Sequence, residues 1–296
     1  MMALRALARV NVAAIERNVT RLRGELSGGG LCAVVKADGY GHGAVPVARA
    51  ALAGGASWLA VVTVSEAAEL RAAGIGGPVL VMGAISAQEL PVALAAGADV
   101  VAWSERFVEE VRAAAWAPVR MHVKFDSGLG RLGTRDVEQA LGVARQIMGA
   151  SPQLQLVGAM THFATADEED LEFVGRQLVA FGAFAARMRA LHAGISVHAA
   201  NSAATLRVPA SHFDLVRCGI AIYGCDPMGE DPAARETRAG VGVGLVCCCG
   251  QARPPGREHG VRSALPCRAR DVDRDDPDRI RGRHPPRADQ QLRHPD

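Results

Sequence analysis

From residue 11 to about 230 the chain alternates short apolar runs with stretches of helical period. The runs cover residues 31–36, 59–63, 78–82, 99–103, 119–125, 156–162, 195–199 and 213–218. Each is rich in Val, Leu or Ile and has the length of a strand buried on both faces. Amphipathic stretches over 64–73, 87–96, 135–148 and 168–193 lie between them. Strand–helix alternation at this rhythm predicts a parallel sheet. Eight such units predict an α/β fold of the (β/α)8 TIM-barrel type. An open doubly wound sheet is the weaker alternative, because the eight units show no switch point. The pattern stops near residue 236. Residues 251–296 contain no Lys, Met, Phe, Tyr or Trp and a single Ile, among many Arg, Pro and Asp. That composition predicts a disordered segment. The expected organisation is therefore a barrel over 1–235 and a disordered or non-native tail over 236–296.

Apolar residues make up 49% of the chain but aromatics only 4%, so the core must be built mainly from Ala, Val and Leu. A net charge of +2 selects no partner, and no basic stripe marks a nucleic-acid surface. The absence of an apolar run of about 18 residues argues against a membrane helix. Residues 1–18 are interrupted by Arg5 and Arg9 and resemble no secretory signal. The chain reads as cytoplasmic. Cys32, Cys218 and Cys225 are isolated, and the adjacent Cys247, Cys248 and Cys249 lack metal-ligand spacing, so no metal site is expected.

Lysine occurs only twice, against 31 arginines. Arginine can replace lysine for charge but not for amine chemistry, so Lys36 and Lys124 stand out. Both fall at or near the C-terminal end of a predicted strand, as do His162 and Arg217. Arg131, Asn201, Ser202, Gly219 and Ile220 follow such ends in loops. In a barrel, that face carries the active site. Lys36 lies in AVVKADGYGHG (33–43), where Gly39, Gly41 and Gly43 predict a permissive turn and a close backbone approach to a ligand.

The string AVVKADGYGHG resembles the cofactor-lysine motif of the alanine racemases, fold-type III pyridoxal-phosphate enzymes. HVKFDSGLGRLG (122–133), THFATAD (161–167), HAANSAA (198–204) and FDLVRCGIAIYG (213–224) extend the resemblance over roughly residues 8–230. It implies that Lys36 carries pyridoxal 5′-phosphate and serves as one catalytic base. Tyr40, Asn201, Ser202, Gly219 and Ile220 would lie about the cofactor phosphate, where hydroxyl and backbone N–H groups suit an anion. Arg131 would bind the substrate carboxylate through its planar fork. Lys124 would match the family's often carbamylated lysine, which orients that arginine. His162 would lie beside the pyridine ring and bond Arg217. Arg217 would face the ring nitrogen and weaken the ring as an electron sink. The implied function is interconversion of L- and D-alanine for peptidoglycan precursors, by a homodimer. Cys218 departs from the family's usual Pro.

The family's second base is a tyrosine of a C-terminal β-domain, donated across the dimer. This chain has only Tyr40 and Tyr223, both within the predicted barrel. The second base is therefore missing, turnover is expected to be impaired, and the dimer is expected to be weakened. Shifting the reading frame of residues 272–283 by one base permits WIATIPIGYADG, which looks like the motif around that tyrosine. Residues 243–251 and 257–264 permit further family-like strings in the same order. These matches imply a frameshift near Glu236–Thr237. Two alternatives remain: another D-amino-acid enzyme of the same fold type, and a non-catalytic pyridoxal-phosphate barrel of the carrier or homeostasis kind.

Overall fold

The computed structural model describes residues 9–229 and 249–250. The described residues form nine α-helices and ten β-strands. A short strand β1 (Arg9–Val10) leads into α1 (Val12–Gly24), and the order continues β2 (Gly30–Val34), α2 (Lys36–Gly41), α3 (Ala44–Ala53), β3 (Trp58–Val61) and α4 (Val64–Ala72). Next come β4 (Val79–Val81), α5 (Leu90–Ala95), β5 (Asp99–Ala102), α6 (Glu105–Ala114), β6 (Val119–Lys124) and α7 (Val137–Gly149). The remainder is β7 (Leu154–Met160), α8 (Glu172–Leu191), β8 (Ser196–His198), α9 (Ser202–Arg207), β9 (Leu215–Cys218) and β10 (Cys249–Gly250).

All eight predicted runs carry a strand of one sheet. Its order is β8-β7-β6-β5-β4-β3-β2-β9, and every named pairing in it is parallel. Two backbone bonds draw its ends together: Asp214 N–H to Val197 O at 3.0 Å and Arg217 N–H to Ala200 O at 2.9 Å. The result is a nearly closed eight-stranded barrel ringed by helices. The stretches named from the sequence do not include α1, α3, α6 or α9. Three of these carry a local cap, since Asn11 accepts from Ala14 N–H, Ser104 from Phe107 N–H and Asn201 from Ala204 N–H, whereas α3 starts at Gly43 with no side-chain cap. The expectation for 236–296 lies outside the described residues, except that Cys249–Gly250 pair antiparallel with Arg9–Val10.

Alternation along the strands divides the core in two. Leu31, Ala33, Leu59, Val61, Val100, Met121, Val123, Val197 and Val216 face the helices, in one large apolar cluster. Cys32, Val34, Ala60, Leu80, Val101, Met160 and Leu215 form a second, smaller cluster in the lumen. Side chains two residues apart share a face. Asp99, Arg120, His122, Lys124, His198 and Arg217 therefore also project inward. The lumen is apolar on one side and charged on the other.

Candidate active site

Parallel pairing brings the C-terminal ends of the strands to one mouth. β2 ends at Val34, two residues before Lys36, because its pairing with β3 stops at Val34 opposite Ala60. Val35 N–H then bonds Ala60 O at 2.9 Å, and the chain turns. This turn is left-handed: Ala37, Asp38, Gly39 and Tyr40 have φ of 52°, 51°, 61° and 53°. The expected permissive turn is present, with Gly39, Gly41 and Gly43 at φ of 61°, 79° and 88°, and Ala37, Asp38 and Tyr40 adopt positive φ as well. Such a conformation costs an L-residue about 1–2 kcal/mol. Hydrogen bonds hold it: Asp38 Oδ1 accepts from Ala44 N–H at 2.7 Å, and Glu66 Oε1 accepts from Ala37 N–H at 2.6 Å. The second oxygen of Glu66 accepts from Val62 and Thr63 N–H, closing the capping box of α4. Glu66 therefore ties the Lys36 turn to a neighbouring helix, a role not read from the sequence.

The turn places Tyr40 beside the ends of β9 and α9. Its ring is 4.9 Å from that of Tyr223, and Lys36 Nζ lies 5.6 Å from the Tyr40 centroid. A Cβ built on Gly219 would sit 2.4 Å from Tyr40 Oη, so only glycine leaves room for that hydroxyl. Ser202 Oγ accepts from Gly219 N–H at 3.0 Å and Ala221 N–H at 3.3 Å. Tyr40, Ser202 and Gly219 are thereby brought together, with Ile220 next in the chain. Asn201 adjoins them, but its side chain is engaged as the cap of α9, accepting from Ala204 N–H at 2.9 Å.

On the other side of the mouth, the loop after β6 carries Arg131. Asp126 organises this loop, accepting from Gly128 N–H, Gly130 N–H and Arg135 Nε at 3.0 Å each. Burial alone would raise the Asp126 pKa, but the Gly130 and Gly128 N–H groups and the Arg135 guanidinium hold it below the usual carboxylate value. Arg131 itself is exposed. Lys124 is buried, and desolvation, then the Arg217 and Arg131 charges, push its amine well below the ordinary lysine pKa. Half-buried His162 is held neutral by desolvation and by the nearby charges of Arg217, Lys124, Arg131 and Lys36.

Arg217 is 3% exposed. Its Nη2 donates to Thr161 O at 2.7 Å and Ala199 O at 3.0 Å, and lies 3.5 Å from His162 Nδ1. Burial pulls its pKa down to about 10, which still leaves it a cation at neutral pH. Two arginines and the chain's two lysines thus lie about one half-buried imidazole at a strand-end mouth.

Residues 10–227 match the family described as alanine racemase, N-terminal domain. The chain belongs to the alanine racemase family. It is 41% identical over 239 residues to an alanine racemase of Frankia casuarinae, covering 78% of this chain and 62% of that one. It is 43% identical over 239 residues to that of Streptomyces coelicolor, covering 77% and 61%. Among solved structures, an alanine racemase from a D-cycloserine-producing Streptomyces lavendulae superposes with a TM-score of 0.75. It shares 37% identity and covers 84% of this chain and 65% of that one. The chain thus spans about three fifths of the length of these curated relatives.

The structure of this family member also holds residues that the sequence reading passed over. Arg120 and His122 are two such residues, and they alternate along β6 with Lys124, already singled out, all facing the lumen. Their signal was VRMHVK, in which every second residue is basic inside an otherwise apolar strand. Asp99, at the start of β5, faces them.

Proposed function

We propose that this chain binds pyridoxal 5′-phosphate at the barrel mouth and acts on the α-proton of alanine, as a racemase lacking one of its two bases. The observation that carries the reading is the left-handed turn, which presents Lys36 and Tyr40 together against Ser202 and Gly219. A reactive amine and an anion cradle are what a phosphorylated aldehyde requires. The donor set fits that group: an amine for the aldehyde, two hydroxyls and backbone N–H groups for the phosphate, and a fixed cation for the ring nitrogen. When bound, pyridoxal phosphate supplies a carbonyl that condenses with amines and a π-system that delocalises carbanion charge.

The residues divide the work. Lys36 Nζ would hold the cofactor and then receive or return the Cα proton on one face. Arg131 would take the alanine carboxylate in its planar fork, with Asp126 fixing the loop. Lys124, with its depressed pKa, can present a neutral amine that attacks carbon dioxide and releases one proton, and the resulting carbamate would face Arg131. Arg217, donor-only and permanently charged, cannot receive a proton from the ring nitrogen. Tyr40, Asn201, Ser202, Gly219 and Ile220 would enclose the phosphate.

A base for the opposite face is missing among the described residues. Tyr223 is 1% exposed, and its hydroxyl donates to Val34 O at 3.1 Å. Tyr40 stands on the phosphate side. Weak turnover therefore follows on this reading, and a non-catalytic pyridoxal-phosphate barrel is the second reading that the same observation favours. The frameshift near residue 236 would account for the missing tyrosine, and sequencing the coding DNA across codons 230–245 checks it.

Borohydride reduction followed by peptide mapping tests the cofactor assignment. One adduct is expected, on Lys36, and none in Lys36→Ala. An adduct at full stoichiometry in Lys36→Ala would refute the assignment. Exchange of the alanine α-proton at one face, with slow inversion, separates a one-base racemase from a pure carrier.

A further inference from the structure

A chain of buried polar groups crosses the lumen from Arg217 to the far end of the barrel. Arg217 Nη1 lies 2.8 Å from His198 Nδ1. His198 Nε2 lies 2.9 Å from His122 Nδ1. His122 Nε2 lies 3.4 Å from Asp99 Oδ2, and Asp99 Oδ1 accepts from Arg120 Nε at 2.9 Å. His122 and His198 are fully buried, and Asp99 is 1% exposed.

The two ends fix the direction of every bond between them. A guanidinium only donates, and a carboxylate only accepts. His198 must therefore accept at Nδ1 and donate from Nε2–H. His122 must do the same in turn, delivering its Nε2–H to Asp99. Reversing either ring, or adding a second proton to one, would set donor against donor in a dry interior. Desolvation pushes both histidine pKa values down; the Arg217 charge adds to this at His198, while at His122 the Asp99 bond and charge oppose it and Arg120 and Arg217 reinforce it more weakly. Both rings are neutral, as the chain of bonds requires. In effect a buried ion pair is stretched through two imidazoles.

The lumen is shaped around this chain. A Cβ on Gly158 would fall 1.8 Å from His122 Nδ1, so the ring occupies space that only glycine leaves. The register of β6 against β7 slips between Met121 and His122, which brings Gly158 opposite the ring. The edge of Trp58 meets His122 at 5.1 Å, and the same indole lies 5.3 Å from the Arg120 guanidinium.

We propose that Asp99 and His122 are positioning residues for Arg217, acting through His198. By accepting the last proton of the chain, Asp99 ensures that the guanidinium meets a lone pair and not an N–H. Arg217 is thereby held in one orientation at the mouth. The inference rests on the reading that Arg217 faces the cofactor ring nitrogen.

The test uses the full chain labelled with ¹⁵N-histidine, with and without pyridoxal phosphate. His122→Gln and His198→Gln assign the two rings. Both are expected as neutral Nε2–H tautomers in the unsubstituted protein, and this result alone decides the matter if a variant does not fold. In Asp99→Ala, His122 should lose its single tautomer and the His198 signals should move, although residue 99 does not touch His198. Gly158→Ala should move the same signals without removing a polar group. In the cofactor-loaded Asp99→Ala chain, the visible spectrum should shift at unchanged occupancy. A cationic or Nδ1–H ring in the unsubstituted protein overturns the proposal, as do unmoved His198 signals in a folded Asp99→Ala chain. Correct tautomers in a chain that takes up no pyridoxal phosphate would retire the cofactor reading and leave the relay standing. Cofactor uptake with other tautomers would retire the relay alone.

Discussion

At the scale of single residues, the site depends on small groups that leave room for large ones. Gly219 yields space to the Tyr40 hydroxyl, and a methyl group there would lie 2.4 Å from it. The tyrosine cannot retreat freely, because its ring rests on Tyr223. Gly219→Ala should therefore displace the hydroxyl and weaken pyridoxal-phosphate retention by about tenfold, the worth of one charge-assisted hydrogen bond at the low end. Equilibrium dialysis against the cofactor measures this, and Tyr40→Phe should lose a similar amount. Undiminished retention in both would remove Tyr40 from the phosphate assignment. The buried thiols stand apart from this chemistry. Desolvation raises Cys32 to about 12 and Cys218 to about 11, so neither is a thiolate near neutral pH.

At the scale of elements, the loop after β6 is organised by one carboxylate. The Asp126 pKa is lowered in the folded chain, so its contribution to stability is present above the ordinary carboxylate range. That contribution falls away as the pH drops through the lowered folded-state value. Asp126→Ala should cost about 1–3 kcal/mol, through the unpaired N–H groups of Gly128 and Gly130. Urea titrations at neutral and acid pH should show the difference between the two proteins narrowing in acid. A constant gap would mean that the carboxylate charge is not what holds the loop. Elements of this kind were unequally legible in the sequence. Eight apolar runs located the eight barrel strands, because strands buried on both faces show as unbroken Val, Leu and Ile. Helices α1, α3, α6 and α9 were harder to see: α3 is half Ala and has no side-chain cap, α9 is short, and the start signals of α1 and α6 are single capping residues. Lys36, Arg131, His162 and Arg217 stood out by type and by place at strand ends. The lumen network did not, because His122 and Asp99 become partners only when β5 and β6 pair.

At the scale of the whole molecule, the barrel would present one half of a reaction if the proposed function holds. Lys36 serves one face of the substrate on the proposed reading, and no described tyrosine serves the other. A chain restored to frame at about codon 236, and continued through the downstream coding sequence, should racemise alanine about 10²–10⁴-fold faster at equal cofactor occupancy. Racemisation followed by circular dichroism compares the two, and equal rates would show that the second base comes from elsewhere. The barrel mouth has a practical consequence as well. Both lysines of the chain, Lys36 and Lys124, open towards it, while the remaining cations are arginines. Reductive methylation with ¹³C-formaldehyde should therefore label the half-buried Lys36 ahead of the buried Lys124, apart from the terminal amine. Dimethylation would make Lys36 a tertiary amine that cannot condense with an aldehyde, so pyridoxal phosphate bound beforehand should shield it, and the strength of its ¹³C signal would count the sites left empty without any foreign label elsewhere on the protein.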